Sequence, residues 1–460
     1  MRIPRIMITA VSSGSGKTVI SCSLMEALKQ QGLCVVSGKC GPDYIDPMFH
    51  KEVLGIDAQN LDLFFHEERE LETIFVNHAK EADIAVIEGV MGYYDGMGID
   101  TVKASSYEVA KALKTPVILV LPCKGAAISA AALVKGILEF REENYICGIL
   151  LNRISEILYP KMKEMLEKEL GMSGHDIKVL GYIPEHPAFH LESRHLGLVT
   201  PKEVEGLRSR LSEAGRILGE TVNLEELIKL AESAPGLQEG SDVDPAYYEV
   251  NEQKIRIAAA RDEAFCFYYK ENLELLKRLG CEIVLFSPIH DKELPKGSQG
   301  LILGGGYPEL YAESLSKNRT MLESIRAAIE SGMPCHAECG GFLYLHETLK
   351  DREGKEYPMA KVISGDAFPT ERLVRFGYVC LTAEEDGLFL KKGETIRGHE
   401  FHYWDSTNNG KDVEARKPDG RRFWKCIHME NNLFAGFPHL AYGSNPLFVR
   451  RFVEKAKRNS

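Results

Sequence analysis

The 460-residue sequence lacks any apolar run long enough to cross a bilayer, and its longest runs, such as residues 115–122, have the length of a strand. It also lacks a positive excess, since a formal net charge of −11 gives no broad basic surface for nucleic acid. Its eleven cysteines form no Cys-x-x-Cys pair, which argues against a disulfide framework or a structural zinc site. The first residues show no long apolar signal-peptide core. We therefore predict a cytoplasmic protein that binds neither nucleic acid nor membrane.

The length and the apolar pattern indicate two domains of the α/β class. Hydrophobic residues make up 44% and charged residues 27% of the chain, as in globular proteins. Continuous apolar runs alternate with helix-length segments, which is typical of parallel strands buried on both faces. A segment rich in Gly, Pro, Ser and acids interrupts this alternation, which then restarts. We predict an N-terminal doubly wound domain with a largely parallel sheet at 1–232, a linker at 233–253 and a second α/β domain at 254–460.

A glycine- and serine-containing stretch, AVSSGSGKTVIS (10–21), follows the first predicted strand. It has the Gly-Lys-Thr of a phosphate-binding loop, although Val11 stands where the usual pattern has its first glycine. Backbone N–H groups at the start of the next helix favour phosphate, Lys17 supplies a positive charge and Thr18 a hydroxyl for Mg²⁺. We interpret the stretch as a variant nucleotide loop rather than a plain strand–turn–helix junction. Its predicted nucleotide-binding residues are Ser13, Gly14, Ser15, Gly16, Lys17 and Thr18.

Carboxylates follow two further predicted strands of the first domain. Glu88 comes directly after a buried strand, and Asp43 and Asp46 lie in a Gly-Pro turn that follows another. In open α/β sheets, ligands bind beyond the carboxyl ends of the strands. A single aspartate of this kind commonly caps a turn or helix. The presence of all three carboxylates beside a phosphate loop favours a role in binding a metal or in acting on a substrate.

The second half carries a candidate nucleophile. The stretch PCHAECGGFLYL (334–345) predicts a strand, a tight turn at Cys339 and a helix, the arrangement of a nucleophile elbow. We expect the helix N-terminus to lower the pKa of the thiol. The N–H groups of Gly340 and of Gly305, in the glycine-rich stretch 303–309, are candidate oxyanion donors.

Short motifs extend over nearly the whole chain. They are GPDYIDP, EGVMGYYDG, LNRI and RHLGL in the first half, and RDEAFCFYY, ENLELL, GGGYPE, AECGGF and GHEFHY in the second. In this combination they closely resemble the cobyrinic acid a,c-diamide synthase family. The resemblance implies an ATP-binding amidoligase domain followed by a domain like the class I glutamine amidotransferases. The implied reaction, part of cobalamin biosynthesis, amidates the a and c side-chain carboxylates of cobyrinic acid through acyl phosphates, with glutamine as nitrogen donor and ATP and Mg²⁺ as cofactors.

The resemblance also implies roles for individual residues of the first domain. Substrate and metal are expected near Asp43, Tyr44, Asp46, Glu88 and Asp95, with Thr18, Glu88 and Asp46 as the candidate metal ligands. Lys17, Asp43 and Asp46 are candidate catalytic residues, but the sequence leaves open how the aspartates divide between metal and acyl-phosphate formation. Asn152 is expected to face the adenine, and a capping role suits it equally well. Arg194 and His195 are candidate partners of substrate carboxylates.

In the second domain the resemblance makes His439 the base that activates Cys339. Many glutaminases carry His-x-Glu here, and similar corrin amidases commonly carry His-Leu-His, whereas this chain has His439-Leu440-Ala441. The orientation of His439 is therefore expected to come from elsewhere in the fold. His399 and His402 are rival candidates for the base, and their spacing equally suits a strand.

Other functions remain open at this point. Enzymes that act on nickel-sirohydrochlorin share the motifs and the reaction, and cobyric acid synthase shares the domains but fits GPDYIDP less well. A non-catalytic P-loop switch with an inert amidase-like module is a more distant alternative. An ATP-dependent carboxylase resembling dethiobiotin synthase leaves the second half unexplained. The expected partners are a corrinoid or related tetrapyrrole, glutamine and ATP, with a homodimer left open.

Overall fold

The computed structural model of the chain describes residues 1–190, 201–238 and 254–459, with side chains from residue 205 onward in the second range. The fold divides into two compact units, Met1–Ser241 and Asp242–Ser460. Both are of the α/β class, as predicted. Residues 239–253 of the predicted linker lie outside the described residues, so the domain bounds at 232 and 254 stay predictions.

A seven-stranded sheet forms the centre of the first unit. Its strands are β1 (Arg5–Ala10), β2 (Val35–Cys40), β3 (Ala58–Leu61), β4 (Ile84–Glu88), β5 (Val117–Pro122), β6 (Ile146–Asn152) and β7 (Lys178–Ile183). The order across the sheet is β3-β2-β4-β1-β5-β6-β7, and every neighbouring pair is parallel. Because all strands run the same way, their carboxyl ends lie along one edge, where the crevice of a doubly wound sheet forms.

Helices cover both faces of this sheet. They are α1 (Lys17–Gln30), α2 (Ile45–Leu54), α3 (Glu68–Ala79), α4 (Ser106–Ala112), α5 (Ser129–Glu139), α6 (Tyr159–Met172), α7 (Pro201–Thr221) and α8 (Leu224–Glu232). Alternate residues of β1 enter different apolar layers, since Ile6 and Ile8 pack with α1, α2, α7 and α8, whereas Met7 packs with α3 to α6. This two-sided burial explains why the strands read as continuous apolar runs.

The second unit contains a parallel sheet and smaller antiparallel ones. Its strands are β8 (Ile255–Ala260), β9 (Phe265–Phe267), β10 (Cys281–Phe286), β11 (Gly300–Leu303), β12 (Gly305–Gly306), β13 (Cys335–Glu338), β14 (Thr348–Lys350), β15 (Glu356–Pro358), β16 (Asp366–Pro369), β17 (Arg375–Ala383), β18 (Thr395–His402), β19 (Trp404–Ser406), β20 (Val413–Arg416), β21 (Phe423–Cys426), β22 (Leu433–Gly436) and β23 (His439–Leu440). Its helices are α9 (Lys270–Arg278), α10 (Ala312–Lys317), α11 (Arg319–Glu330), α12 (Gly340–Tyr344) and α13 (Pro446–Lys457).

The parallel sheet of the second unit has the order β10-β8-β11-β13-β22, and an antiparallel sheet has the order β21-β20-β17-β18-β23. Helices α10, α11 and α12 contribute to the apolar layer on one side of the parallel sheet, and α9 and α13 to the layer on the other. β13 ends directly before α12, and β22 pairs with β13 and leads into β23. The ends of these strands therefore meet at one place.

A buried arginine ties the start of the first unit to its last described residues. Arg5 is fully buried, and its guanidinium donates to the carbonyl oxygens of Leu113 (2.8 Å), Ile3 (2.9 Å) and Pro235 (2.7 Å). The backbone N–H of Leu237 also donates to the carbonyl of Met1 at 2.8 Å. Residues 233–238 thus pack on the first unit.

We predict that Arg5→Ala destabilises the first unit by on the order of 3 kcal/mol, because buried carbonyl groups lose their donors. Chemical unfolding followed by far-UV circular dichroism measures this loss. Both tryptophans, Trp404 and Trp424, belong to the second unit, so their fluorescence shows whether the loss falls elsewhere. The exposed Arg2→Ala is the matched control, and an Arg5→Ala protein that unfolds like the control contradicts the prediction.

Candidate active sites

The phosphate loop joins β1 to α1 through two glycines with positive φ. Gly14 has a φ of +75° and Gly16 a φ of +90°, a region that favours glycine. A Cβ at Gly16 would lie 2.7 Å from Nδ2 of Asn152, which itself donates to the carbonyl of Ser15 at 2.8 Å. Asn152, the last residue of β6, therefore packs against the loop and stabilises its backbone. Its predicted contact with adenine stays a prediction.

The variant residue Val11 meets the loop that follows β4. A Cβ at Gly92 would lie 2.8 Å from the carbonyl oxygen of Val11, and the N–H of Tyr93 donates to the carbonyl of Ala10 at 2.9 Å. The loop after β4 thus crosses the end of β1. Asp95 closes that loop by accepting the N–H of Gly92 at 2.8 Å.

Thr18 and Glu88, two predicted metal ligands, are in direct contact. The Thr18 hydroxyl donates to Oε1 of Glu88 at 2.6 Å. Lys39 of β2 lies beside Glu88 of β4 in the sheet register, and its Nζ donates to the same Oε1 at 2.8 Å. Lys39 also forms an ion pair with Asp46, and the closest oxygen of Asp43 is 4.0 Å from its Nζ. The carboxylates at successive strand ends are therefore brought together, as the sequence predicts, but around a lysine.

Asp43 and Tyr44 lie at the start of α2. Oδ1 of Asp43 accepts the N–H of Ile45 at 2.8 Å, which is the capping contact weighed above as the alternative role. Tyr44 directly precedes α2 and is half-buried. Asn60 of β3 secures the turn, because its Nδ2 donates to the carbonyls of Gly41 and Asp43. The substrate roles of Asp43, Tyr44 and Asp95 stay predictions.

Burial and charge set the protonation of this cluster. Burial first and then the neighbouring charge of Lys39 lower the pKa of Lys17 to about 8. Burial acts to raise the pKa of Glu88, but the charge of Lys39 and a hydrogen bond from His50 outweigh it, so that pKa lies well below its ordinary value. Burial and the neighbouring Glu88 raise the pKa of Asp46. Burial acts to lower the pKa of Lys39, but Glu88 and Asp46 outweigh it and raise that pKa.

The oxygen donors at this place fit a magnesium ion that also binds phosphate. Mg²⁺ takes one or two carboxylates and completes its shell with phosphate oxygens and water. The hydroxyl of Thr18 and the ionised carboxylate of Glu88 meet that requirement. Asp46 is held by Lys39, so its part in metal binding stays a prediction. Within the described residues, no group of three or more His, Cys, Asp or Glu side chains is arranged to hold a metal by itself.

Ser105 has a structural role, and two predicted substrate contacts lie outside the described residues. Ser105 caps α4, because its hydroxyl accepts the N–H of Glu108 at 3.3 Å. Arg194 and His195, the candidate partners of substrate carboxylates, lie outside the described residues.

The backbone of the second unit makes the predicted elbow at Cys339. Cys339 stands between β13 and α12 with a φ of +45°, a strained value for a residue that carries a side chain. Gly340 and Gly341 allow the tight packing that follows, since a Cβ at Gly341 would lie 2.1 Å from the carbonyl oxygen of Leu303. The N–H of Cys339 donates to the carbonyl of Gly436 at 2.8 Å. Strain of this kind is typical of functional sites.

The expected lowering of the thiol pKa is not found. Cys339 is only 8% exposed, and burial raises the pKa of its thiol well above the ordinary value, to which the carboxylate of Glu309 adds. The thiol is therefore protonated at rest, and a base must take its proton.

His439 packs against the glycine-rich strand β12, and its role as the base stays a prediction. A Cβ at Gly305 would lie 2.3 Å from Cε1 and 3.2 Å from Nε2 of His439. A Cβ at Gly340 would lie 3.0 Å from the backbone nitrogen of Gly306. The glycine-rich strand β12 thus contacts both the imidazole and the start of α12, as an oxyanion pair of Gly305 and Gly340 requires. Those two roles stay predictions.

The rival histidines of β18 have other partners. His402 stacks on Phe437 with ring centroids 3.8 Å apart and pairs through Nδ1 with the carbonyl of Trp404 at 2.6 Å. His399 lies opposite His439 in the strand register, and burial first, then His439, lowers the pKa of His399 to about 3. Both histidines belong to β18, so the strand accounts for their spacing in the sequence.

Three residues of these sites were not singled out from the sequence. Lys39 and His50 surround Glu88, with Nε2 of His50 at 3.3 Å from Oε2 of Glu88. Glu338 lies 3.5 Å from Nδ1 of His439. Lys39 and Glu338 are both charged residues inside an apolar strand run. A buried charge needs a partner, so this pattern is the sequence signal by which the two residues could have been found.

Two family models match the chain, one on each unit. Residues 6–199 match the CobQ/CobB/MinD/ParA nucleotide binding domain, and residues 256–446 match the CobB/CobQ-like glutamine amidotransferase domain. Among the described residues, no helix combines the length and the hydropathy of a membrane span.

Curated relatives match over the full length. The chain is similar to proteins named cobyrinate a,c-diamide synthase from Listeria innocua (39% identity over 99% of this chain and 100% of the relative) and Caldanaerobacter subterraneus (38%, 98% and 97%). A protein of the same name from Thermoplasma volcanium is 35% identical over 100% of this chain and 99% of its own. The chain therefore belongs to the cobyrinate a,c-diamide synthase family.

Proposed function

We propose that the protein amidates the a and c side-chain carboxylates of cobyrinic acid, with ATP as activator and glutamine as nitrogen donor, in cobalamin biosynthesis. The observation that carries the proposal is the presence of two candidate sites in one chain of this family. The first unit holds a phosphate loop whose Thr18 contacts Glu88, and the second holds a strained cysteine directly after Glu338, a carboxylate 3.5 Å from His439.

The first unit has the parts that carboxylate activation needs. A carboxylate becomes an electrophile when the γ-phosphoryl group of ATP is transferred to one of its oxygens, which leaves ADP and an acyl phosphate. Lys17 and the glycine turn hold the phosphates. Lys39 forms ion pairs with the buried carboxylates of Glu88 and Asp46 and so balances their negative charge. Bound Mg²⁺, for which Thr18 and Glu88 are the candidate ligands, supplies charge neutralisation at the phosphates.

The second unit has the parts that release ammonia. His439 takes the proton of the Cys339 thiol, the thiolate attacks the side-chain amide carbon of glutamine, and backbone N–H groups of the glycine turns stabilise the oxyanion. The C–N bond then breaks, and the proton on His439 passes to the leaving ammonia. Water cleaves the resulting thioester to glutamate. Ammonia displaces phosphate from the acyl phosphate, which gives the amide.

The substrate is tested directly by incubating the protein with ATP, Mg²⁺, glutamine and one tetrapyrrole at a time. Mass spectrometry counts the amides added to cobyrinic acid, hydrogenobyrinic acid and nickel-sirohydrochlorin. We expect two amides on cobyrinic acid. Amidation of nickel-sirohydrochlorin alone overturns the substrate assignment, and absence of both amidation and glutaminase activity favours the P-loop switch.

Separate variants divide the two half-reactions. We predict that Lys17→Ala lowers amidation at least about 100-fold with glutamine and with free ammonia, because both routes need the acyl phosphate. Cys339→Ala is expected to lower the glutamine reaction at least about 1,000-fold and to leave the ammonia reaction within about twofold of the wild type. Product formation with each nitrogen source measures both effects. Cys380→Ala, at a half-buried cysteine of β17, is the control. A Cys339→Ala protein that is inactive with ammonia contradicts this division.

The lowered pKa of Lys17 predicts a pH dependence of nucleotide binding. In the protein without nucleotide, Lys17 loses its proton as the pH rises through about 8, and it must regain that proton to bind phosphate. The apparent Kd for ATP, measured by calorimetry without other substrates, is therefore expected to rise by up to about tenfold per pH unit above that value. Lys17→Arg keeps its charge and is expected to remove the inflection. A wild-type Kd that is constant to about pH 9.5 contradicts the prediction.

A further inference from the structure

The base His439 has no acid at the position two residues after it. Ala441 stands there and is fully buried, so it offers no carboxylate to the imidazole. Triads of this chemistry use the third group to fix the tautomer of the histidine and to stabilise its protonated form. The fold therefore needs another source of negative charge at Nδ1 of His439.

We propose that Glu338, the residue directly before the nucleophile, is the positioning residue that replaces this acid. It ends β13, whereas His439 begins β23, and the pairing of β13 with β22, which leads into β23, brings these two strand ends together. Oε2 of Glu338 lies 3.5 Å from Nδ1 of His439. Catalytic hydrogen bonds are often this long before substrate binds. This inference rests on the proposed glutaminase function.

The other oxygen of Glu338 is already held, which fixes the carboxylate. Oε1 accepts the N–H of Leu440 at 2.9 Å and lies 3.4 Å from Nε2 of His336. The Nδ1 of His336 pairs with the hydroxyl of Tyr442 at 2.6 Å. Burial raises the pKa of Tyr442 far above its ordinary value, so the tyrosine keeps its proton, and in the proposed network its hydroxyl donates to Nδ1 of His336. The N–H of His336 then faces Glu338.

This network gives Glu338 the state that the role needs. Burial acts to raise the pKa of Glu338, but the charges of His336 and His439 and the N–H of Leu440 outweigh it, and that pKa is lowered. An ionised carboxylate at Nδ1 makes Nδ1 the protonated nitrogen of His439. Nε2 is then the free base that takes the proton of the Cys339 thiol and later gives it to ammonia.

The ionisable groups around His439 come from β13, from β18 and from the turn that follows β13. Glu338 and His336 belong to β13, His399 of β18 lies opposite His439 in the register, and Cys339 follows β13. Burial lowers the pKa of both His336 and His399, so burial disfavours their charged forms. Glu338 is the anion among these neighbours.

The test compares Glu338→Gln with the wild type in the full-length chain. The amide oxygen still accepts the N–H of Leu440, whereas the amide NH2 takes the place of the oxygen that faces Nδ1 of His439, so the charge and that acceptor are lost together. We expect kcat for glutamine hydrolysis to fall roughly 10- to 100-fold with little change in KM, and the acidic inflection of the pH profile to move to lower pH, because the protonated imidazole loses its partner. Ammonia-dependent amidation is expected to stay within about twofold. Glu394→Gln, which removes a carboxylate paired with Arg451, is the control.

Two further measurements make the outcome decisive. Adding Ala441→Glu to the Glu338→Gln protein is expected to restore part of kcat. In the wild-type chain, nitrogen-15 NMR of labelled histidines is expected to show His439 with its proton on Nδ1, a readout that does not depend on how a variant folds. A wild-type kcat and pH profile in Glu338→Gln, or a proton on Nε2 of His439, overturns the inference. If the wild type itself shows no glutamate release that depends on Cys339, the proposed function fails instead.

Discussion

Both sites depend on one backbone constraint, the change from a buried parallel strand to a helix within a few residues. At such a junction the chain must turn sharply, and the turning residue takes a positive φ. In the first unit glycines at 14 and 16 accept that conformation, and the turn leaves backbone N–H groups free for phosphate. In the second unit Cys339 accepts it under strain, and the turn presents a side chain instead. The same local geometry thus serves an anion in one unit and a nucleophile in the other.

Both sites also contain buried charged side chains, and neighbouring polar or oppositely charged side chains balance these charges. Glu88 is fully buried, yet Lys39, His50 and Thr18 contact its two oxygens. Such groups cost free energy when they are buried alone, so each is held by partners from a different strand or helix. The partners also fix position, because a carboxylate with several contacts has little freedom to rotate. Rigid carboxylates beside a phosphate loop are what in-line phosphoryl transfer requires.

In the proposed glutaminase site, the cysteine thiol is unreactive in the resting state. Burial keeps the Cys339 thiol protonated, so the nucleophile forms only when its proton is taken by a base. In the proposed site, the base in turn depends on a carboxylate from the strand before the nucleophile. Glu338 ends β13, Cys339 follows it, and His439 begins β23, so the three proposed groups lie at the ends of two short strands.

The sequence by itself determined the α/β class, the phosphate loop and the elbow, because each is a local pattern of glycines, apolar runs and reactive residues. It also brought Glu88, Asp43 and Asp46 to one sheet edge, since parallel strands end on the same side. It did not predict that Lys39 joins them or that burial raises the pKa of the Cys339 thiol. Those facts depend on strand order and on desolvation. Likewise, Glu338 and His439 are far apart in the chain, and only the pairing of β13 with β22, which leads into β23, places them 3.5 Å apart.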